Sequence, residues 1–226
     1  MPTVLVTGAN RGIGLEFVRQ YAQDGWHVIA CCRNPNAATK LQCLNSQFPQ
    51  HLRVYALNMI DHVQIEQLSE TLSTETIDLL INNAGVYSPE HGDAFGATDY
   101  AAWLYVFQVN SMAPLKMAEA FIQQIARSEF KTIVTITSKM GSIADNRGGG
   151  SYIYRASKAA VNIVMKSLSI DLDAQQINAV LLHPGWVKTD MGGSNAPVFP
   201  DQSAKGLYNV ITRLTEKDSG WFFDYS

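Results

Sequence analysis

The sequence predicts a doubly wound α/β fold, a parallel sheet of seven strands with helices on both faces, and three observations predict it. Short β-branched runs alternate with longer stretches of helical periodicity along the whole chain. Those runs are apolar on both faces, as strands covered on two sides must be. Residues suited to holding a ligand stand just after most runs, at the strand ends where an open parallel sheet binds one.

The elements follow in order. The first run, residues 3–7, reads Thr-Val-Leu-Val-Thr and leads through a glycine-rich turn into a helix over 13–23. A strand over 26–32 and a helix over 37–47 come next, then a strand over 52–57 and a helix over 62–73. The fourth strand spans 77–82, and the long periodic stretch beyond it reads as one helix over 102–127. Strands over 131–137 and 177–183 enclose a helix over 154–174. A helix over 203–214 and a short strand over 220–223 complete the pattern. Each strand–helix–strand step should cross over right-handed. No Pro-, Gly- or Ser-rich linker and no repeat interrupts the chain, so residues 1–226 are read as one domain.

Composition narrows the function. A chain of 226 residues, 46 % hydrophobic and 16 % charged, is globular. It buries roughly 70–75 % of its extended surface and needs no disulfide or metal staple. Lys plus Arg number 17 against 20 for Asp plus Glu, a net charge of −3, which speaks against a nucleic-acid binder. No polybasic stretch offers itself to a membrane surface. No apolar run approaches the ~18 residues that span a bilayer. The opening Met-Pro-Thr-Val-Leu-Val lacks the charged and apolar regions of a signal peptide. Cys31, Cys32 and Cys43 form an odd set without zinc-like spacing, with the adjacent pair on opposite faces of a strand. Reduced thiols of this kind fit a cytoplasmic protein.

The turn after the first strand reads Thr7-Gly8-Ala9-Asn10-Arg11-Gly12-Ile13-Gly14. Its glycines permit a tight turn and a close approach of backbone to a diphosphate. The helix that begins there offers free N–H groups and a partial positive charge to the anion. The second strand then ends Cys31-Cys32-Arg33-Asn34, with a guanidinium near the place where a carboxylate would hold the ribose of NAD. Arg33 suits the 2′-phosphate of NADP, and Arg11 adds a second charge, so NADP(H) is expected over NAD(H). Asn58 and Met59 after the third strand, and Asn83, Ala84 and Gly85 after the fourth, are further cofactor candidates.

Tyr154 and Lys158 stand four apart at the start of a helix and so share a face. A neighbouring ammonium favours the phenolate and lowers a tyrosine pKa from its usual value near 10. A tyrosine so tuned can donate to a carbonyl, or accept from an alcohol, near neutral pH. Tyr152 has Ala156 four residues on and lacks this partner. Ser138 ends the fifth strand and could hydrogen-bond a substrate oxygen as charge develops there, with Ser142 its nearest competitor.

Taken together, these segments resemble the short-chain dehydrogenases/reductases, and the resemblance runs along nearly the whole chain. The matching residues are Thr7 to Gly14, Asn82-Asn83-Ala84-Gly85, Asn110, Ser138, Tyr154-x-x-x-Lys158 and Pro184-Gly185-Trp186-Val187-x-Thr189. The segments around Tyr154 and Pro184 look most like the C-factor and sniffer-type carbonyl reductases. The resemblance implies a single-domain Rossmann fold and a reduction of aldehyde, ketone or quinone to alcohol. It implies Tyr154 as general acid/base, Lys158 on the nicotinamide ribose and lowering the Tyr154 pKa, and Ser138 orienting the carbonyl. It also implies Asn110 holding a relay water, and Pro184, Gly185, Val187 and Thr189 closing over the nicotinamide.

Three departures stand out. Asn58 occupies the place of the family's usual Asp. Ser138 and Tyr154 are sixteen apart, with Gly148-Gly149-Gly150 between them, which suggests a mobile flap. The segment 191–200 is short, which suggests an open and poorly selective pocket, and the chain stops at Ser226 without the tail of some relatives.

Other readings are weaker. Gly192-Gly193-Ser194-Asn195-Ala196 lacks the second glycine of a hydrolase elbow. His27, His51, His62, His91 and His183 are scattered rather than clustered as metal ligands are. The rival from another class is a cofactor-binding signalling protein with little or no turnover. Tyr87, Trp103, Trp186, Met191 and Phe199 suggest an apolar mouth for aromatic or hydrophobic carbonyls. The apolar stripe Ala159, Ala160, Ile163, Val164 and Leu168 suggests a homodimer or homotetramer.

Overall fold

The computed structural model describes residues 1–87 and 92–226. Its centre is a parallel sheet of seven strands: β1 (Thr3–Thr7), β2 (His27–Cys32), β3 (Leu52–Ala56), β4 (Leu79–Asn82), β5 (Thr132–Ile136), β6 (Asn178–His183) and β7 (Phe222–Asp224). The spatial order is β3-β2-β1-β4-β5-β6-β7. Order reverses between β1 and β4, which places a topological switch point at their carboxyl ends.

Strand alternation sends side chains to two cores. Val4 and Val6 point to one face with Val28, Ala30, Leu79, Ile81, Val134 and Leu182. Leu5 points to the other with Ile29, Leu80, Ile133 and Leu181. Cys32 lies in the first core and Cys31 in the second, on opposite faces as the sequence implies. Helices α1 (Gly12–Gln23), α2 (Thr39–Gln47) and α7 (Pro200–Ile211) cover the first face. Helices α3 (His62–Thr71), α5 (Ala113–Ala126) and α6 (Tyr152–Asp171) cover the second. Each fully buried Leu, Ile, Val or Phe contributes about 1.5–3 kcal/mol by leaving water.

The single helix expected over 102–127 is interrupted. It divides into α4 (Tyr100–Phe107), a π turn at Gln108–Met112, and α5. Pro114 supplies the reason: it has no N–H to give the carbonyl four residues back, that of Asn110. Other boundaries shift by a few residues. A 3₁₀ turn at Pro35–Ala37 precedes α2, α7 begins at Pro200, and β7 begins two residues late because Gly220, at φ 80°, turns the chain. Among the described residues no helix is long and apolar enough to cross a membrane. No group of three or more His, Cys, Asp and Glu among them could hold a metal ion. His91 lies outside the described residues.

Candidate active site

The glycine turn is braced from β4. Asn83 donates through Nδ2 to the carbonyls of Thr7, at 2.9 Å, and Gly8, at 3.2 Å. The Thr7 hydroxyl accepts from the backbone N–H groups of Asn83 and Ala84, both at 3.0 Å. Gly8 is at φ 66°, and a Cβ on it would meet the Ala84 Cα at 2.8 Å. A Cβ on Gly14 would collide with the Gly8 carbonyl and the Asn83 amide. Helix α1 starts at Gly12 with no side-chain cap and no acidic residue in its first turn. Its first N–H groups therefore lack a side-chain acceptor, and the glycines leave a shallow cradle before them. That arrangement fits a diphosphate.

Around the cradle the expected cofactor residues fall into place unevenly. Arg33 is exposed at the end of β2, with Nη1 3.4 Å from the Tyr105 hydroxyl. Arg11 forms an exposed ion pair with Asp190, so the glycine turn is tied to the segment after β6. Asn10 and Ile13 lie in the turn and the first helical turn. Asn58 sits in the turn after β3, its Oδ1 3.5 Å from the Ile60 N–H. Met59 follows it, with its side chain buried in the second core.

The chemical residues converge from three elements. Ser138, at the end of β5, caps the 3₁₀ turn Lys139–Gly141 by accepting from the Met140 N–H at 3.1 Å. Gly141 lets this turn lie directly on α6, where a Cβ would meet the Lys158 carbonyl carbon at 2.7 Å. Tyr154 and Lys158 occupy successive turns at the start of α6, and both are buried. The Lys158 ammonium donates to the Ile136 carbonyl at 3.0 Å and lies 5.7 Å from the centroid of the Tyr154 ring. Burial lowers its pKa to about 8.

Tyr154 departs from expectation in charge rather than position. Burial pushes its phenol well above the usual value, the Tyr87 phenol adds to this, and the Ser138 hydroxyl pulls the other way. Desolvation, rather than the Lys158 ammonium that was expected to lower it, sets the direction.

Asn110 sits in the π turn and is buried. Its Nδ2 donates to the Val86 carbonyl at 2.8 Å and the Ser157 hydroxyl at 3.0 Å, and its Oδ1 accepts from the Val86 N–H at 2.9 Å. The side chain is thus occupied on both ends, and the Asn110 group deprived of its usual helical donor is the main-chain carbonyl beside Pro114. Gly85 lies between the two, since a Cβ there would be 3.4 Å from Asn110 Oδ1 and 3.8 Å from Lys158 Nζ.

Two anchors of α6 were invisible in the sequence. Ser151 precedes the helix in the left-handed region, at φ 46°, a strain of about 1–2 kcal/mol for a residue with a Cβ. The helix start is capped instead from sixty residues away, where Asp93 accepts from the Ile153 N–H at 2.8 Å. Gly149 and Gly150, at φ 63° and 61°, complete the same left-handed bend, which is what the glycine run serves.

The segment after β6 is held by its own contacts. Trp186 Nε1 donates to the Gly192 carbonyl at 2.7 Å, and Thr189 Oγ1 accepts from the Gly192 N–H at 3.1 Å. Val187 is buried and bridges Val198. Pro184 accepts from the Ser203 hydroxyl at 2.7 Å, and Gly185, at φ 82°, accommodates the Tyr225 ring. Tyr87, Trp186, Met191 and Phe199 are each about half exposed at carboxyl ends of the sheet. Trp103 is not among them: it stacks on Tyr100 within α4, ring centroids 6.0 Å apart.

A family model described as short chain dehydrogenase matches residues 2–197. The chain is 43 % identical to C-signal of Myxococcus xanthus over 152 residues, covering 67 % of this chain and 90 % of that protein. Among solved structures, the carbonyl reductase Sniffer of D. melanogaster has a TM-score of 0.90 and 32 % identity, covering 100 % of this chain and 97 % of that one. The NADPH-bound carbonyl reductase from chicken fatty liver has a TM-score of 0.91 and 35 % identity, covering 100 % of this chain and 96 % of that one.

Proposed function

Because the chain belongs to the short-chain dehydrogenase family, we propose that it is an NADPH-dependent oxidoreductase that reduces an aldehyde, ketone or quinone carbonyl to an alcohol. The observation that carries this reading is the meeting of Ser138, Tyr154 and Lys158 beyond the carboxyl end of β5, with β4 between it and the glycine cradle after β1. When bound, the reduced nicotinamide supplies a hydride to the carbonyl carbon. Tyr154 gives its phenolic proton to the carbonyl oxygen and Ser138 donates a hydrogen bond to that oxygen. Of the three donors on the Lys158 ammonium, one goes to Ile136, which leaves others for the nicotinamide ribose and for the proton path. Asn110 serves that path through its main-chain carbonyl.

Gly8, Asn10, Gly12, Ile13 and Gly14 hold the diphosphate, with Arg11 and Arg33 on the 2′-phosphate and Asn58 and the Met59 backbone at the adenine. Ala84 and Gly85 lie along the ribose side, with Asn83 bracing from behind. Pro184, Gly185, Val187 and Thr189 border the nicotinamide. The NADPH held by the chicken reductase supports NADP over NAD, as do the two guanidiniums at the ends of β1 and β2. We read residues 1–226 as one domain, cytoplasmic on the strength of three free cysteines, and homodimeric or homotetrameric through the α6 stripe of Ala159, Ala160, Ile163, Val164 and Leu168, of which Ile163 is exposed and Leu168 packs in the second core.

A second reading, a cofactor-gated binding protein without useful turnover, is favoured by the likeness to C-signal. Loss of NADPH absorbance with a panel of aldehydes, quinones and diones separates the two. Consumption by wild type supports the reductase. NADPH binding without consumption of any carbonyl turns the assignment to the second reading.

A further inference from the structure

Among the described residues outside those already assigned, one side chain touches the reactive phenol directly. Tyr87, on the segment after β4, lies with its ring centroid 4.4 Å from that of Tyr154, the planes inclined by 39°. Its hydroxyl is 3.2 Å from the hydroxyl of Ser151, the strained residue at the entrance to α6. It therefore touches both the ring of Tyr154 and the turn that launches Tyr154's helix. Tyr154 is only 7 % exposed, whereas Tyr87 is 42 % exposed and belongs to neither core. A half-exposed aromatic that leaves the cores untouched yet covers a buried phenol does little for global stability. Its contacts act on the position and solvation of Tyr154.

We propose that Tyr87 is a positioning residue of the reaction: its ring holds the Tyr154 ring in one orientation and keeps water from the phenol. This rests on the reading of Tyr154 as the proton donor. The physical basis is offset aromatic packing, which prefers centroids roughly 4.5–7 Å apart and restricts ring rotation, and the sensitivity of proton transfer to small displacements of the donor. The ionisable or polar groups that face Tyr154 among the described residues are Tyr87 from the β4 segment, Ser138 from the end of β5 and Lys158 from α6 itself. Tyr87 raises the phenol's pKa, in the same direction as burial. Removing it exposes the phenol and lets it ionise at lower pH.

The test compares wild type, Tyr87→Phe and Tyr87→Ala, with NADPH and 4-nitrobenzaldehyde as probes. In Tyr87→Ala, kcat falls about tenfold, the upper range for loss of one aromatic pair. The KM for NADPH stays within about twofold, since the cradle is elsewhere. Tyr87→Phe, which keeps the ring, recovers most of kcat. The alkaline fall of kcat moves to lower pH in Tyr87→Ala, because the donor must be protonated for reduction. A second readout needs no turnover: ultraviolet titration of tyrosine, taken as the difference between each protein and its Tyr154→Phe counterpart, follows the ionisation that depends on Tyr154. Its midpoint falls in Tyr87→Ala. Unchanged kcat and midpoint in Tyr87→Ala overturn the proposal, as does a Tyr87→Phe protein as impaired as Tyr87→Ala. If wild type consumes no member of the panel of aldehydes, quinones and diones, the reductase reading is what has failed, and the titration still decides the role of Tyr87.

Discussion

The Lys158 ammonium stands 5.7 Å from the centre of the Tyr154 ring, and the hydrogen bond it makes among the described residues, at 3.0 Å, is to the Ile136 carbonyl. A cation is thus held in the interior by the last carbonyl of β5, with no carboxylate paired to it among the described residues. Such a site is costly in the cofactor-free protein. The cost is the physical trace of a site arranged for a ligand rather than for stability.

That cost is measurable through pH. The folded pKa of Lys158, about 8, lies below the usual lysine value. Between those two values the unfolded chain holds a proton that the folded one has released, so this group makes stability rise with pH across the window. At pH 7 it is protonated in both states and its full penalty, roughly 3 kcal/mol, is present. Cofactor-free Lys158→Met is therefore expected to be more stable than wild type at pH 7, with an advantage that shrinks by about pH 10. Denaturant unfolding of both proteins across this range checks it, and a pH-independent difference would contradict it.

Tyr154→Phe removes the proton donor and leaves the ring. The rate of NADPH-dependent carbonyl reduction should drop by roughly 10²-fold or more. NADPH affinity should stay within about threefold. Parallel kinetics and fluorescence titration would show this, and a mutant that keeps a tenth or more of the rate would assign the proton to another group.

Arg33→Ala probes cofactor choice. A charge-assisted hydrogen bond contributes about 1.5–3 kcal/mol, so NADPH should bind about tenfold or more weakly while NADH is nearly unaffected. Equal weakening of both cofactors would place Arg33 away from the 2′-phosphate.

Gly14→Ala tests the brace beneath the cradle. The added methyl runs into the Gly8 carbonyl and the Asn83 amide, both fixed by hydrogen bonds. Overpacking of this kind costs about 1–3 kcal/mol, and the disturbed turn should also bind NADPH less well. Thermal unfolding and NADPH titration give the two readouts; normal values in both would mean that the turn relaxes freely.

Much of the site was legible along the chain. Tyr154 and Lys158 share a helix face by spacing alone, and Gly8, Gly12 and Gly14 announce a turn that other residues could not make. Asn110 was legible as a position but not in its manner of use. The occupied side chain and the carbonyl freed by Pro114 belong to a π turn that helical periodicity does not reveal. Asp93, which caps α6, and Gly141, which receives it, lack a local pattern because each acts on a residue remote in sequence.

Sequence by itself determined the alternation of seven strands with helices, the glycine turn and the order in which the reactive residues appear. These follow from periodicity, backbone freedom and spacing, all properties of short stretches of chain. Tertiary structure alone decided that Ser138 meets Tyr154, that Tyr87 lies on its ring, and that the phenol's pKa goes up rather than down. Those outcomes depend on which atoms replace water around a group, and desolvation is a property of the packed surroundings rather than of any segment.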